Sequence, residues 1–167
     1  MNINKLIQNK ELLEEYYLNY TKRKILLKSF NSNQLKFGHL EKANHNLYFF
    51  KTIKDNSFDD WKIVVLYYCL YHSFLALVEN KGYSSKNHNA TIVFILKNYV
   101  EINKEDIEIL EKLNISQEDA MFYTTLKEKR NEASYSIKTN IKHFDIDTLA
   151  QKVTNILLKI KEIINND

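Results

Sequence analysis

The chain of 167 residues contains no proline and only two glycines, Gly38 and Gly82. All-β folds need such turn residues at intervals of roughly 8 to 12 residues, so their scarcity points to an all-α fold. A single-domain antiparallel helical bundle is expected, with four core helices and additional short ones. Gly38 and Gly82 also stand too far apart for a phosphate-cradling loop of the GxxxxGK[ST] type or a nucleophile elbow, and no GxGxxG occurs. The one cysteine, Cys69, lies in an apolar run and has no internal partner for a disulfide, which fits a reducing compartment. The longest apolar run, IVVLYYCLY at 63–71, falls well short of the ~20 residues of a membrane span. The start, MNINKLIQNKELLEEYY, lacks the charged, apolar and small-residue regions of a signal peptide. A soluble, cytoplasmic protein with no membrane partner is therefore expected. Arginine is scarce as well: of 24 basic residues only Arg23 and Arg130 are arginines.

Against these absences stands a 44% hydrophobic content, enough to bury one core. The net charge of +3 is too mild to announce a nucleic-acid binder by itself. Locally the balance differs. Residues 22–36 carry five positive charges and no negative one, and residues 127–142 carry five positive and two negative. Each run is either a solvated face or an RNA-contacting surface.

Apolar spacing predicts a first helix over about 4–29, with Leu6, Leu13, Tyr17, Ile25 and Leu26 on its inner side, and a second over about 34–54. Ser57-Phe58-Asp59-Asp60 reads as a capping box opening a helix over about 58–80, with Gly82 as its left-handed stop. That helix is apolar on nearly every side and should be central to the bundle. At 100° per residue, Lys62, Cys69, His72, Ser73 and Glu79 share a sector of about 120°, its only polar stripe. Further helices are expected over about 88–100, 103–114, 116–137 and 146–165. The last should be capped by Asp145 or Asp147 and should bury Leu149, Val153, Ile156, Leu157 and Ile160.

The five histidines (39, 45, 72, 88 and 143) show no HExxH spacing, and no CxxC occurs, so neither a metal site nor a cofactor is expected. His39 and His45 lie about 240° apart on an ideal helix. The stretch 67–96, YYCLYHSFLALVENKGYSSKNHNATIVFIL, joins a tyrosine pair, an aromatic-histidine step, a helix-ending Lys-Gly and a second histidine in the following loop. Together with RNEASY at 130–135, it resembles the HEPN superfamily, in particular small stand-alone members encoded beside minimal nucleotidyltransferases. The resemblance spans residues about 37–137.

It implies a homodimeric helical bundle with two copies of an arginine-bearing helix across a cleft, in a toxin–antitoxin or phage-defence system. It also implies RNA or a nucleotide as ligand, with a minimal nucleotidyltransferase as protein partner. Catalytic members carry R-x4-6-H, often with Asn after the Arg, and cut RNA without a metal. The guanidinium holds the phosphate and the imidazole moves the proton. Arg130 and Asn131 match that motif, whereas Tyr135, Ser136 and Ile137 stand where the histidine belongs and His143 lies beyond its reach. A phenol with a pKa near 10 is a poor base at pH 7. The reading is thus a binding or weakly active module, with an active ribonuclease using a non-standard histidine as the alternative. The candidate catalytic residues are Arg130, Asn131, Tyr135 and His72; the candidate RNA- or nucleotide-binding residues are Arg130, His88, Lys127 and Lys138. For Arg130 the alternative is an intramolecular pair with Glu128 or Glu132; for His72, a satisfied core histidine; for His88, a residue that caps or packs at its helix start. For Tyr135 the alternative is a packed helix residue, with nucleotidylation by the partner as a further, weaker reading.

Overall fold

Twenty-two consecutive residues without a glycine or proline, apolar on most faces, form the helix around which the rest is built. The computed structural model describes residues 1–55, 58–114 and 145–167, apart from the side chain of Asp60. In chain order these form α1 (Ile3–Gln8), α2 (Lys10–Lys22), β1 (Leu26–Lys28), α3 (Ser32–Thr52), α4 (Asp59–Asn80), β2 (Tyr83–Ser85), α5 (His88–Asn98), α6 (104–114) and α7 (Ile146–Asn166). The fold is all-α with one small two-stranded sheet. The expected helix over 116–137 lies outside the described residues.

The central role predicted for α4 is what the structure shows: Ile63, Leu66, Leu70, Phe74, Ala76, Leu77 and Val78 are all buried in the main core. By length and composition Trp61–Asn80 could cross a membrane, yet 72% of that window is buried inside the protein, as befits a core helix. The stripe of polar residues does not reach solvent freely. Ser73 returns its hydroxyl to the Cys69 carbonyl at 2.8 Å, and buried Glu79 accepts from Ser84 Oγ at 2.5 Å. Burial pushes the Cys69 thiol up to about 12, so it stays protonated.

Phe58 stands at the N-cap of α4 and offers no side-chain bond; Ser57, the expected cap, lies outside the described residues. At the other end Gly82 takes φ +74 and donates its N–H to the Glu79 carbonyl at 2.8 Å, the left-handed stop foreseen.

The two long helices α3 and α4 pack antiparallel. Lys36 Nζ donates to Asn80 Oδ1 at 3.1 Å near the start of α3, while His39 meets His72 one turn further on. Helix α7 runs alongside α4 in the same direction, because Asp167, the cap at its C-terminal end, accepts from both Asn80 Nδ2 and Lys81 Nζ. Asp145 caps α7 by accepting from the Thr148 amide, and Leu149, Val153, Ile156, Leu157 and Ile160 are buried as its spacing requires. A reciprocal box opens α6: the Asn103 side chain accepts from the Asp106 amide at 2.9 Å and the Asp106 side chain from the Asn103 amide at 3.1 Å. Lys159 of α7 then donates to Asp106 at 2.6 Å.

The single helix expected over 4–29 is instead two helices and a strand. Asn9 takes an extended conformation that ends α1, its backbone N–H donating to the Lys5 carbonyl, while its side chain accepts from the Leu12 amide and caps α2. At Lys24 the backbone turns left-handed, φ 55, and Leu26–Lys28 pairs antiparallel with Tyr83–Ser85 in the register Leu26↔Ser85 and Lys28↔Tyr83. The strand delivers Leu26 to the core, where it is fully buried. Bonds from Ser29 N to Gly82 O (2.9 Å) and Lys86 N to Ile25 O (3.0 Å) clamp its two ends.

Candidate functional site

One face of α4 carries Tyr67, Tyr68, Tyr71 and His72 within six residues, a spacing that puts all four ring systems side by side along less than two turns. Tyr67 and Tyr71 lie face to face, centroids 5.6 Å apart and planes 7° apart. Tyr71 in turn lies between two histidines, 6.3 Å from His72 and 5.9 Å from His88. The fold thus sets His72 and His88, both singled out from the sequence, at the two ends of one aromatic row.

His72 does not stand alone. Its Nδ1 lies 3.0 Å from Nδ1 of His39, which the antiparallel register of α3 brings opposite it. The ring centroids are 5.2 Å apart and the planes 27° apart, so the rings meet edge to edge, nitrogen towards nitrogen, and close to coplanar. Both rings are half-buried. Burial disfavours their charged forms and lowers both pKa values, that of His72 to about 4. The ring of His39 and the ammonium of Lys42, one turn along α3, lower His72 further; Lys42 also lowers His39, against which the Glu79 carboxylate pulls upward. At pH 7 both imidazoles are therefore neutral.

At the other end of the row Asn87, not His88, caps α5, accepting from the Ala90 amide at 2.8 Å. This leaves the His88 ring to reach across to α6, where Nε2 donates to Glu111 Oε1 at 2.6 Å. A carboxylate only accepts, so the proton resides on Nε2 and Nδ1 faces the Tyr67 hydroxyl at 3.5 Å. Carboxylate, imidazole and phenol form a line from α6 through α5 to α4.

His39 and Glu111 are the residues that sequence reading missed. Arg130, Asn131, Tyr135, Lys127, Lys138 and His143 lie outside the described residues, and the pairing of Arg130 with Glu128 or Glu132 lies there too. Among the described residues no group of three or more His, Cys, Asp or Glu side chains could hold a metal ion. What the row offers is proton chemistry: two imidazoles in mutual contact, a third oriented by a carboxylate, and a lysine charge beside the first pair.

No protein-family model matches the chain, and no solved structure matches it significantly. A protein of the archaeon Methanocaldococcus jannaschii bearing the name "Putative toxin MJ0142" is 25% identical over 99 residues, which cover 58% of this chain and 67% of that protein. The chain is thus similar, at a distance, to a protein named as a toxin.

Proposed function

We propose that the protein is a toxin-type protein of the HEPN kind that binds RNA as a homodimer and cuts it slowly without a metal ion. Its setting is a toxin–antitoxin or defence system, with a minimal nucleotidyltransferase as protein partner. The likeness to the archaeal protein named as a toxin supports the first element, and the residues of 67–96 and 130–135 support the HEPN reading. The observation that carries the chemistry is the half-buried His72 at the end of an aromatic row, where an imidazole is at hand although position 135 holds a tyrosine. In this reading Arg130 holds the scissile phosphate with Asn131, while Lys127 and Lys138 add positive charge along the strand. Tyr68, the exposed ring of the row, offers its face to a base.

A binding-only module is the second reading, favoured by the low proton affinity of His72, with its pKa of about 4, since a weak base contributes less of the usual ~10²- to 10⁴-fold of general acid–base catalysis. Purified protein incubated with total RNA and tRNA in EDTA separates them. The first reading expects fragments ending in 2′,3′-cyclic phosphate that vanish in Arg130→Ala, together with growth arrest on expression that the same substitution relieves. Retention of RNA without cleavage supports the second, and neither retention nor cleavage would overturn both.

A further inference from the structure

A nitrogen–nitrogen contact of 3.0 Å between two Nδ1 atoms has room for one proton. In the neutral pair one ring is therefore the Nδ1–H tautomer, with a lone pair on Nε2. The other is the Nε2–H tautomer, with its lone pair on Nδ1. Among the described residues no hydrogen bond engages either Nε2. The pair thus has one base nitrogen and one acid N–H to offer a substrate, and shifting the shared proton, as one Nε2 takes up a proton and the other releases one, exchanges the two roles. The near-coplanar, edge-to-edge approach, with planes 27° apart, aligns the donor N–H with the acceptor lone pair for that shift. Lys42 faces both rings from α3, Glu79 acts on His39 from α4, and the rings of Tyr68 and Tyr71 flank His72 at 6.4 and 6.3 Å.

We propose that His39 and His72 work as one bifunctional proton relay in the cleavage of RNA at the 2′-hydroxyl, with Lys42 beside the phosphate oxygens. The proposal rests on the RNA-cleaving reading above and names its acid and base. The ring with the free Nε2 takes the 2′-hydroxyl proton as the 2′-oxygen attacks phosphorus. Its Nδ1 proton crosses to Nδ1 of the other ring, whose Nε2 proton passes to the 5′-oxygen as the P–O5′ bond breaks. A 2′,3′-cyclic phosphate and a 5′-hydroxyl result, no proton is gained or lost overall, and the pair is left in the exchanged tautomer, which proton exchange with water at the two Nε2 atoms resets before the next turnover. Neither ring passes through a stable imidazolium, so an environment that disfavours the charged form does not obstruct the step. The same environment would cripple a scheme in which one histidine starts protonated.

The test is cleavage of a short oligoribonucleotide in EDTA between pH 3.5 and 9, with the 2′-deoxy oligonucleotide as the uncut control. The relay predicts a rate that rises through the acid limb and then stays level, whereas a separate acid and base give a bell. His39→Gln leaves His72 a polar neighbour that cannot pass a proton, and should lower the rate about 100-fold while the circular dichroism melt stays cooperative. In the unaltered protein, imidazole nitrogen-15 shifts should show one Nδ1–H and one Nε2–H ring at neutral pH, a measurement that stands even if the variant does not fold. A bell-shaped profile, a His39→Gln rate within two-fold of the original, or two Nε2–H rings would overturn the relay and leave RNA cleavage intact. No cleavage by the unaltered protein at any pH would overturn the RNA-cleaving reading itself, and the relay with it.

Discussion

Acidification should weaken this protein earlier than its carboxylates alone would, and the His39–His72 contact says where. A free histidine takes its proton near pH 6.5, whereas His72 in the fold resists until about pH 4. The sign follows: the folded pKa is depressed, so the unfolded chain binds the extra proton first. The stability associated with the neutral ring is whole above pH 6.5 and drains away as pH falls towards 4. The fall from 6.5 to about 4 corresponds to ~3 kcal/mol. Because the ring is only half-buried and solvent screens part of the penalty, about 1.5 kcal/mol is the figure to expect. His39, shifted in the same direction, adds to it. Sharing one proton across the 3.0 Å contact softens the first protonation but not the second, which sets two cations against each other. Urea unfolding at pH 7, 6, 5 and 4 measures the effect. Other groups titrate in this window too, so the quantity to follow is the difference between the native protein and the His39→Gln, His72→Gln double variant. The native protein should lose about 1.5 kcal/mol more, or roughly 3 to 6 °C in Tm. Parallel curves for the two proteins would refute the assignment of neutral, mutually bonded rings.

Three further outcomes follow from the packing. A double-mutant cycle on His88→Ala and Glu111→Ala should give a coupling of about 1 to 2 kcal/mol in urea unfolding, because the 2.6 Å contact is partly shielded and each partner left alone loses a strong hydrogen bond. Phe74→Ala empties a site at the centre of α4 where the ring is fully buried, and should cost about 3 to 5 kcal/mol by the same measurement. Gly82→Ala should cost about 1 kcal/mol, purely from conformation: φ is +74 and an added Cβ meets nothing within 4 Å, so a larger loss would point to a clash the structure does not contain.

The sequence was most readable where one element's own residues decide the outcome. α4 was identifiable as central because no orientation of it would hide its apolar surface except full enclosure, and α7 because Leu149, Val153, Ile156, Leu157 and Ile160 keep helical spacing behind an aspartate cap. The first thirty residues misled because Leu6, Leu13, Tyr17, Ile25 and Leu26 fit helical spacing on paper, while the breaks depend on single residues. Asn9 is as good a cap as a helix member, and the strand at Leu26–Lys28 exists only because Tyr83–Ser85 is there to pair with it. The site divides in the same way. His72 was visible as a polar residue on an apolar helix. Its partner was not, since nothing local to α3 marks His39 over His45; the register between α3 and α4 makes the choice. Glu111 likewise shares α6 with Glu105, Asp106 and Glu108, and only the placement of α5 selects it.

The same neutral pair underlies both the proposed chemistry and the acid sensitivity, and this ties two unrelated measurements together. If the relay operates, the acid limb of cleavage marks protonation of the pair, and the part of the stability loss that disappears in the glutamine double variant marks the same event in the same fold. The acid limb should be centred where the differential stability loss levels off, at the folded pKa, about 4 for His72, and not at the 6.5 of a free histidine where that loss begins. Cleavage rates and urea stabilities recorded in one buffer series decide it. An acid limb centred near 6.5 would mean that a group outside this pair handles the proton.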